Sequence, residues 1–100
     1  MIYSLHPEAE SDLREAADYY RERASTALSQ AFFSEFEHSM HLLLQHPLLG
    51  ALWLQGKRRL VMKHFPYAVI NTVAAPEIRV LAVAHQSRRP GYWRKRKWQQ

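Results

Sequence analysis

The chain has no cysteine and only three glycines among its 100 residues, and both shortages exclude chemistry. Without cysteine there is no disulfide framework and no thiolate chemistry. The three glycines form no glycine-rich phosphate loop, and no serine lies in a G-x-S-x-G motif. We therefore expect neither nucleotide-binding machinery nor a serine-based catalytic triad.

Long apolar runs are also missing from the sequence. No window approaches 18 uninterrupted apolar residues, and the opening MIYSLHPEAE has neither the basic nor the apolar region of a signal peptide. Two histidines, His38 and His41, share a helix face, but no further ligand completes a metal pattern. We expect a single cytoplasmic domain over residues 1–100, with no membrane association, no metal and no cofactor.

Acidic residues are almost absent from the second half. Residues 51–100 carry eleven lysines and arginines against the single acid Glu77, whereas residues 1–50 carry three arginines against eight acids. A domain this polarised has an acidic side and a basic side, and the basic side should attract phosphates or an acidic protein segment. The alternative is that both charge runs are only solvated surface.

The strongest concentration of charge is the basic tail of residues 86–100. Six of its residues are cations, and Tyr92 and Trp93 lie among them. So many charges cannot be desolvated unpaired, so the segment should face water or an anionic partner. The alternative is that the two aromatic side chains fold back on the sheet as apolar caps.

Apolar residues recur at helical spacing in the first half. After a short strand at residues 2–5, Pro7 suits the first turn of a helix over residues 7–23. Ser25 suits the N-cap of a second helix, which should stop just before Pro47. The short connection predicts an antiparallel helical hairpin.

The second half changes to the pattern of strands. Residues 48–56 are expected to form a loop, and residues 57–63, 68–73 and 78–84 are strand candidates rich in Val, Ile and Leu. The last two runs are apolar on both faces, which is typical of central strands. The order β-α-α-β-β-β predicts an α+β domain in which a helical hairpin packs on a mainly antiparallel sheet.

Three segments of the chain carry a resemblance to a known family. They are HPEAESDLREAADYY, GKRRLVMKHFPYAVINTV and EIRVLAVAHQSRRPGYW, in that order along the chain. Together they resemble the ParE/RelE superfamily of toxins from bacterial type II toxin–antitoxin modules. The resemblance implies the same fold and a cognate antitoxin. An acidic, partly disordered antitoxin segment would suit the basic side of this domain.

The superfamily implies one of two activities. RelE-like members cleave mRNA in the ribosome, whereas ParE-like members inhibit DNA gyrase and cut nothing. The two arginines typical of the RelE-like branch fall at positions that here hold Ala68 and Gln86. Tyr92 matches a RelE-like tyrosine, but an unperturbed phenol titrates at about pH 10 and is a poor base. The Phe65-Pro66-Tyr67 turn and the C-terminal ending resemble the ParE-like branch, so we expect gyrase as the target.

The predicted target- or antitoxin-binding residues are basic or aromatic, and their role is recognition: Lys57, Arg58, Arg59, Arg79, Arg88, Arg89, Tyr92, Trp93, Arg94, Lys95 and Arg96. We expect no catalytic residues, and deletion of residues 88–100 should abolish toxicity while leaving the fold intact. The alternative is a metal-independent mRNA endonuclease that acts with the ribosome. In it His85 and Tyr92 would form the acid–base pair, and Lys57, Arg58 or Arg88 would hold phosphate. Two of these residues also have a structural alternative. Arg79 would pair with an acid such as Glu77, and His85 would be a hydrogen-bonded structural residue at the end of the last strand.

Overall fold

Two helices joined by two residues form one layer of the domain. The computed structural model describes residues 1–98, in which α1 spans Pro7–Arg23 and α2 spans Thr26–Gln45. Each helix begins at a side-chain cap: His6 Nδ1 accepts the Glu8 N–H at 3.0 Å, and Ser25 Oγ accepts the Leu28 N–H at 3.0 Å. These caps satisfy N–H groups that have no partner within the helix. The predicted helical hairpin and its bounds are therefore confirmed. Neither helix combines the length and apolar character that a membrane crossing requires.

The second layer is a sheet, and residues 1–98 contribute five strands to it. They are β1 (Ile2–Leu5), β2 (Ala51–Leu52), β3 (Arg58–Val61), β4 (Tyr67–Ala74) and β5 (Glu77–His85). Their order across the sheet is β1-β5-β4-β3-β2; β1 runs parallel to β5, and the other neighbours are antiparallel. The predicted α+β architecture is confirmed, with β4 and β5 near the centre of the sheet.

The main core lies between the helices and one face of the sheet. Phe32, Phe36, Met40 and Leu43 of α2 are all buried there, at the i, i+4 and i+3 spacing that aligns side chains on one helix face. Residues of the two central strands pack against them: Val69 of β4, and Ile78, Val80 and Val83 of β5.

A β-bulge in β5 changes which side chains face away from the helices. Ile70 pairs with Ala82, but Asn71 pairs with Val80, so Leu81 has no partner across the ladder. Leu81 and Ala82 both belong to a second buried cluster on the opposite face of the sheet. One extra residue in a strand re-aims the side chains beside it. The bulge thereby widens the apolar area on the face that the helices leave uncovered.

The segment predicted as a loop contains additional structure. Residues 51 and 52 pair with Arg59 and Arg58 as β2, and Leu54–Gly56 forms a 3₁₀ turn. Gly50 permits this close approach, because a Cβ there would lie 3.1 Å from the Arg59 backbone. A two-residue edge strand is too short to show an alternating pattern, so periodicity does not predict it.

Candidate functional site

The C-terminal segment folds back over the sheet face that the helices do not cover. Gly91 turns the chain at φ 77°, and Trp93, with 1% of its surface exposed, packs in the cluster of Ala68, Ile70 and the β5 bulge. This burial agrees with the alternative in which the aromatic side chain folds back on the sheet as an apolar cap. The indole is large enough to cover an apolar area that would otherwise meet water. The last two residues of the predicted tail lie outside the described residues.

A buried ion pair fastens this segment to α1. The Asp12 and Arg96 side chains are only 9% and 10% exposed, and two guanidinium nitrogens of Arg96 donate to the two carboxylate oxygens of Asp12 at 2.6 and 3.1 Å. Arg96 also donates to the Leu81 carbonyl at 3.1 Å and approaches Glu8 at 3.1 Å. Burial alone would lower the pKa of Arg96, but the hydrogen bonds and charge of Asp12 outweigh it and raise that pKa. Arg96, which is one of the predicted binding residues, is an internal cation in this structure.

Tyr92 lies between two guanidinium groups and bonds to the same carboxylate. Its ring centroid is 3.9 Å from the Arg88 guanidinium carbon and 5.0 Å from that of Arg96, and its hydroxyl donates to Asp12 at 3.2 Å. Burial, with the negative charge of Asp12, raises the pKa of Tyr92 to about 12. At neutral pH the phenol is therefore protonated and engaged, which makes it a poor general base.

His85 and Arg79 have structural partners. Both the backbone N–H and the hydroxyl of Ser87 lie within hydrogen-bond distance of His85 Nδ1, at 2.9 and 2.7 Å. Arg79 Nε donates to Glu77 at 2.8 Å, and its guanidinium lies 5.2 Å from the Trp98 ring. The hydrogen bond from Arg79, then that from Ser4, lowers the pKa of Glu77.

Arg58 is also engaged within the fold. One of its guanidinium nitrogens donates to the carbonyls of Leu48 and Gly50, at 3.3 and 2.9 Å, and so holds the loop before β2. Three of the predicted binding residues therefore have partners within the fold: Arg58, Arg79 and Arg96. Charge density alone does not distinguish them from cations without such partners.

Six of the predicted binding residues remain unpaired, and we call them the basic face. Within residues 1–98, none of them has a carboxylate within 4.0 Å: Lys57, Arg59, Arg88, Arg89, Arg94 and Lys95. The last four are exposed, and the first two are half-buried. Unpaired cations at this density create a positive field that favours an anionic partner.

Part of the basic face surrounds a cleft. Arg59, Arg88 and Arg89 line it together with Trp53, and Ala68 lies at its wall. His85, Gln86 and Tyr92 line the same cleft, so the structure brings together the residues of the predicted recognition surface and those of the nuclease alternative. Trp53 was not predicted as a site residue, because an aromatic residue in an apolar loop gives no functional signal of its own.

Comparisons with known proteins extend the geometric result. No curated protein matches the chain. A chain of the chromosomal ParDE TA system from P. aeruginosa is structurally similar, with a TM-score of 0.74 and 20% sequence identity over 85% of this chain and 95% of that one. At this identity the likeness supports the fold. The model of the ParE toxins of type II toxin–antitoxin systems (parDE) matches residues 3–90. That match covers most of the sequence, and the chain therefore belongs to the ParE toxin family.

Proposed function

We propose that this protein is a cytoplasmic toxin that inhibits DNA gyrase by binding it. The observation that carries the proposal is the family match over residues 3–90. The chemistry of the cleft supports a binding role: Ala68 and Gln86 occupy its wall where a nuclease of the superfamily would hold phosphate, and the Tyr92 phenol is held protonated by burial and Asp12. In the nuclease alternative, Tyr92 would therefore be a poor base at neutral pH.

Membership of the family implies an antitoxin partner. We propose that an acidic antitoxin segment covers the basic face. Its carboxylates would form ion pairs with the six cations of the basic face, which have no acidic partner among residues 1–98. Such an interaction weakens as salt rises, because exposed charges are screened. Neutralisation would follow if the antitoxin and the target compete for these cations.

The structure changes how a test of this surface must be designed. Deletion of residues 88–100 would remove Trp93 from the second buried cluster and Arg96 from its ion pair with Asp12. Loss of toxicity in such a truncation would therefore reflect unfolding as well as lost contacts. Point substitutions at exposed members of the basic face avoid this problem.

The experiment is a supercoiling assay with purified gyrase, run beside an in vitro translation reaction. We expect lost supercoiling, accumulated cleaved DNA and intact mRNA. A variant with Arg89→Gln, Arg94→Gln and Lys95→Gln should inhibit gyrase more weakly. The matched control, Arg14→Gln with Arg21→Gln and Arg23→Gln, removes the same charge from exposed positions of α1 and should inhibit as the wild type does. Active gyrase with cleaved mRNA would refute the proposal in favour of a nuclease, and no effect on either reaction would refute gyrase as the target.

A further inference from the structure

We propose that the cleft between Trp53 and the C-terminal segment binds a single strand of DNA, with a phosphate on its arginines and a base against the Trp53 indole. The inference rests on the proposed function only for its biological consequence, which is that the toxin would contact DNA held by gyrase as well as the enzyme. The binding site itself follows from the geometry of the cleft.

The cations of the cleft come from two separate parts of the chain. Arg59 lies on β3 opposite Ile70, on the sheet face away from the helices, while Arg88 and Arg89 follow the end of β5. Stacking on Tyr92 at 3.9 Å fixes the Arg88 guanidinium. Guanidinium groups bind phosphate oxygens through paired N–H donors. A guanidinium that is already fixed by stacking loses less conformational entropy when it binds phosphate.

The wall of the cleft is built from small side chains. Ala68 and Ala84 are paired across β4 and β5, and both line the cleft with Ile70. Trp93 packs on Ala68 and Ile70, which are only 2% and 1% exposed, so the floor of the cleft is closed. A bound strand would therefore lie along the cations and the Trp53 indole at the rim of the cleft.

Trp53 supplies the stacking surface. Its backbone N–H donates to the Lys57 carbonyl at 2.7 Å, which holds the loop beside β3, and its ring lies 5.0 Å from the Arg59 guanidinium carbon. The residue is still 39% exposed. An exposed indole next to cations is the arrangement with which proteins bind single strands, because every base offers an aromatic face.

The test measures binding of a fluorescein-labelled 12-nucleotide single-stranded DNA to the full-length protein by fluorescence anisotropy, at several salt concentrations. The wild type should bind with an affinity that falls as salt rises. Arg88→Gln and Arg89→Gln should each lower the slope of log affinity against log salt by about 0.7, the value for one phosphate contact on a single strand. Trp53→Ala should weaken binding roughly 5- to 150-fold at an unchanged slope, and Trp53→Phe should restore most of it.

The chain offers a matched control on the opposite layer. Arg23 of α1 lies 5.2 Å from the ring of the exposed Tyr19, so Arg23→Gln disrupts a similar cation–aromatic pair whose two residues do not line the cleft. The control should bind the strand as the wild type does. Equal loss in the control and the cleft variants, no salt-dependent binding by the wild type, or a tenfold preference for RNA of the same sequence would each overturn the proposal.

The supercoiling assay separates this inference from the proposed function. A protein that binds the strand in the cleft but leaves gyrase active would keep the binding site and refute the proposed target. A protein that inhibits gyrase but binds no DNA would keep the target and overturn the binding site.

Discussion

The ion pair between Asp12 and Arg96 offers the sharpest test of how this fold is held together. Asp12 accepts hydrogen bonds from Arg96, from the Tyr92 hydroxyl and, at 3.1 Å, from the Val83 backbone N–H. One carboxylate thus joins α1, β5 and the C-terminal segment. We predict that Asp12→Asn destabilises the protein far more than removal of an exposed carboxylate does.

The expected size of the effect follows from burial. Removing one partner of a buried ion pair usually costs about 3–5 kcal/mol, because the other charge stays in the interior uncompensated. Here Glu8 still lies 3.1 Å from Arg96, and the asparagine keeps an oxygen for Val83, so we expect the low end, about 3 kcal/mol. For a domain of this length that corresponds to a fall in Tm of about 12–24 °C.

The assay is urea unfolding, supported by thermal unfolding. The matched control is Asp18→Asn, also on α1, where the carboxylate is 47% exposed and bonds to Arg21 at the surface. Exposed pairs contribute about 0–1 kcal/mol, so the control should unfold close to the wild type. The single variants Asp12→Leu and Arg96→Met, with the double variant that carries both substitutions, form a double-mutant cycle. We expect the double variant to be more stable than Asp12→Asn, because no uncompensated charge remains.

The prediction is wrong if Asp12→Asn and Asp18→Asn shift the unfolding midpoint equally, or if the effects of Asp12→Leu and Arg96→Met simply add in the double variant. Additivity would mean that the two side chains do not interact in solution. The C-terminal segment would then be held by the apolar contacts of Trp93 alone.

Three further predictions test the two ends of the sheet and its second core. Trp93→Ala should lower the free energy of unfolding by about 3–5 kcal/mol, measured in urea, whereas Arg94→Ala, at the exposed neighbouring position, should have little effect. Burial raises the folded-state pKa of Tyr92 to about 12. The contribution of its neutral phenol to the free energy of unfolding is therefore complete below about pH 10 and is lost as pH rises through 12. Tyr92→Phe should make the alkaline loss of stability shallower. The pKa of Glu77 is lowered from 4.5, so the contribution of its carboxylate to stability is present above pH 4.5 and is lost as pH falls through the lower value. In acid, the stability of Glu77→Gln should therefore fall less steeply than that of the wild type. An equally steep fall would contradict the Arg79 contact.

Local signals were enough to predict most of the fold. Pro7, Ser25 and Pro47 act on the backbone within a few residues of themselves, so the helix bounds could be predicted from the sequence alone. The β-bulge could not, because an apolar run such as Val80 to Ala84 reads the same whether it is regular or contains an extra residue. The short strand β2 forms by pairing with β3, and no local sequence pattern predicts that pairing.

The candidate site was harder to predict, because the function of a cation depends on what lies beside it. Arg88, Arg89 and Arg94 were predicted as binding residues and are exposed, but Arg96, two positions further, is enclosed by Asp12 and Glu8. The acids that hold Arg96 are more than 80 residues away along the chain. No sequence spacing relates a position on the first helix to one near the C-terminus, so charge density alone counts every cation as free.

The same long-range contacts explain how one segment serves both stability and recognition. Trp93 and Arg96 point inward and bury an indole and a guanidinium, while Arg94 and Lys95 between them remain exposed. The inward pair fixes the backbone, and the outward cations are therefore presented from an ordered surface, which limits the entropy that they lose when a partner binds. A change that loosens Asp12 from Arg96 should therefore weaken partner binding even though neither side chain reaches the partner. We expect Asp12→Asn to lower affinity for an anionic partner at temperatures well below its unfolding midpoint. Unchanged affinity in that variant would show that the exposed cations act independently of the internal pair.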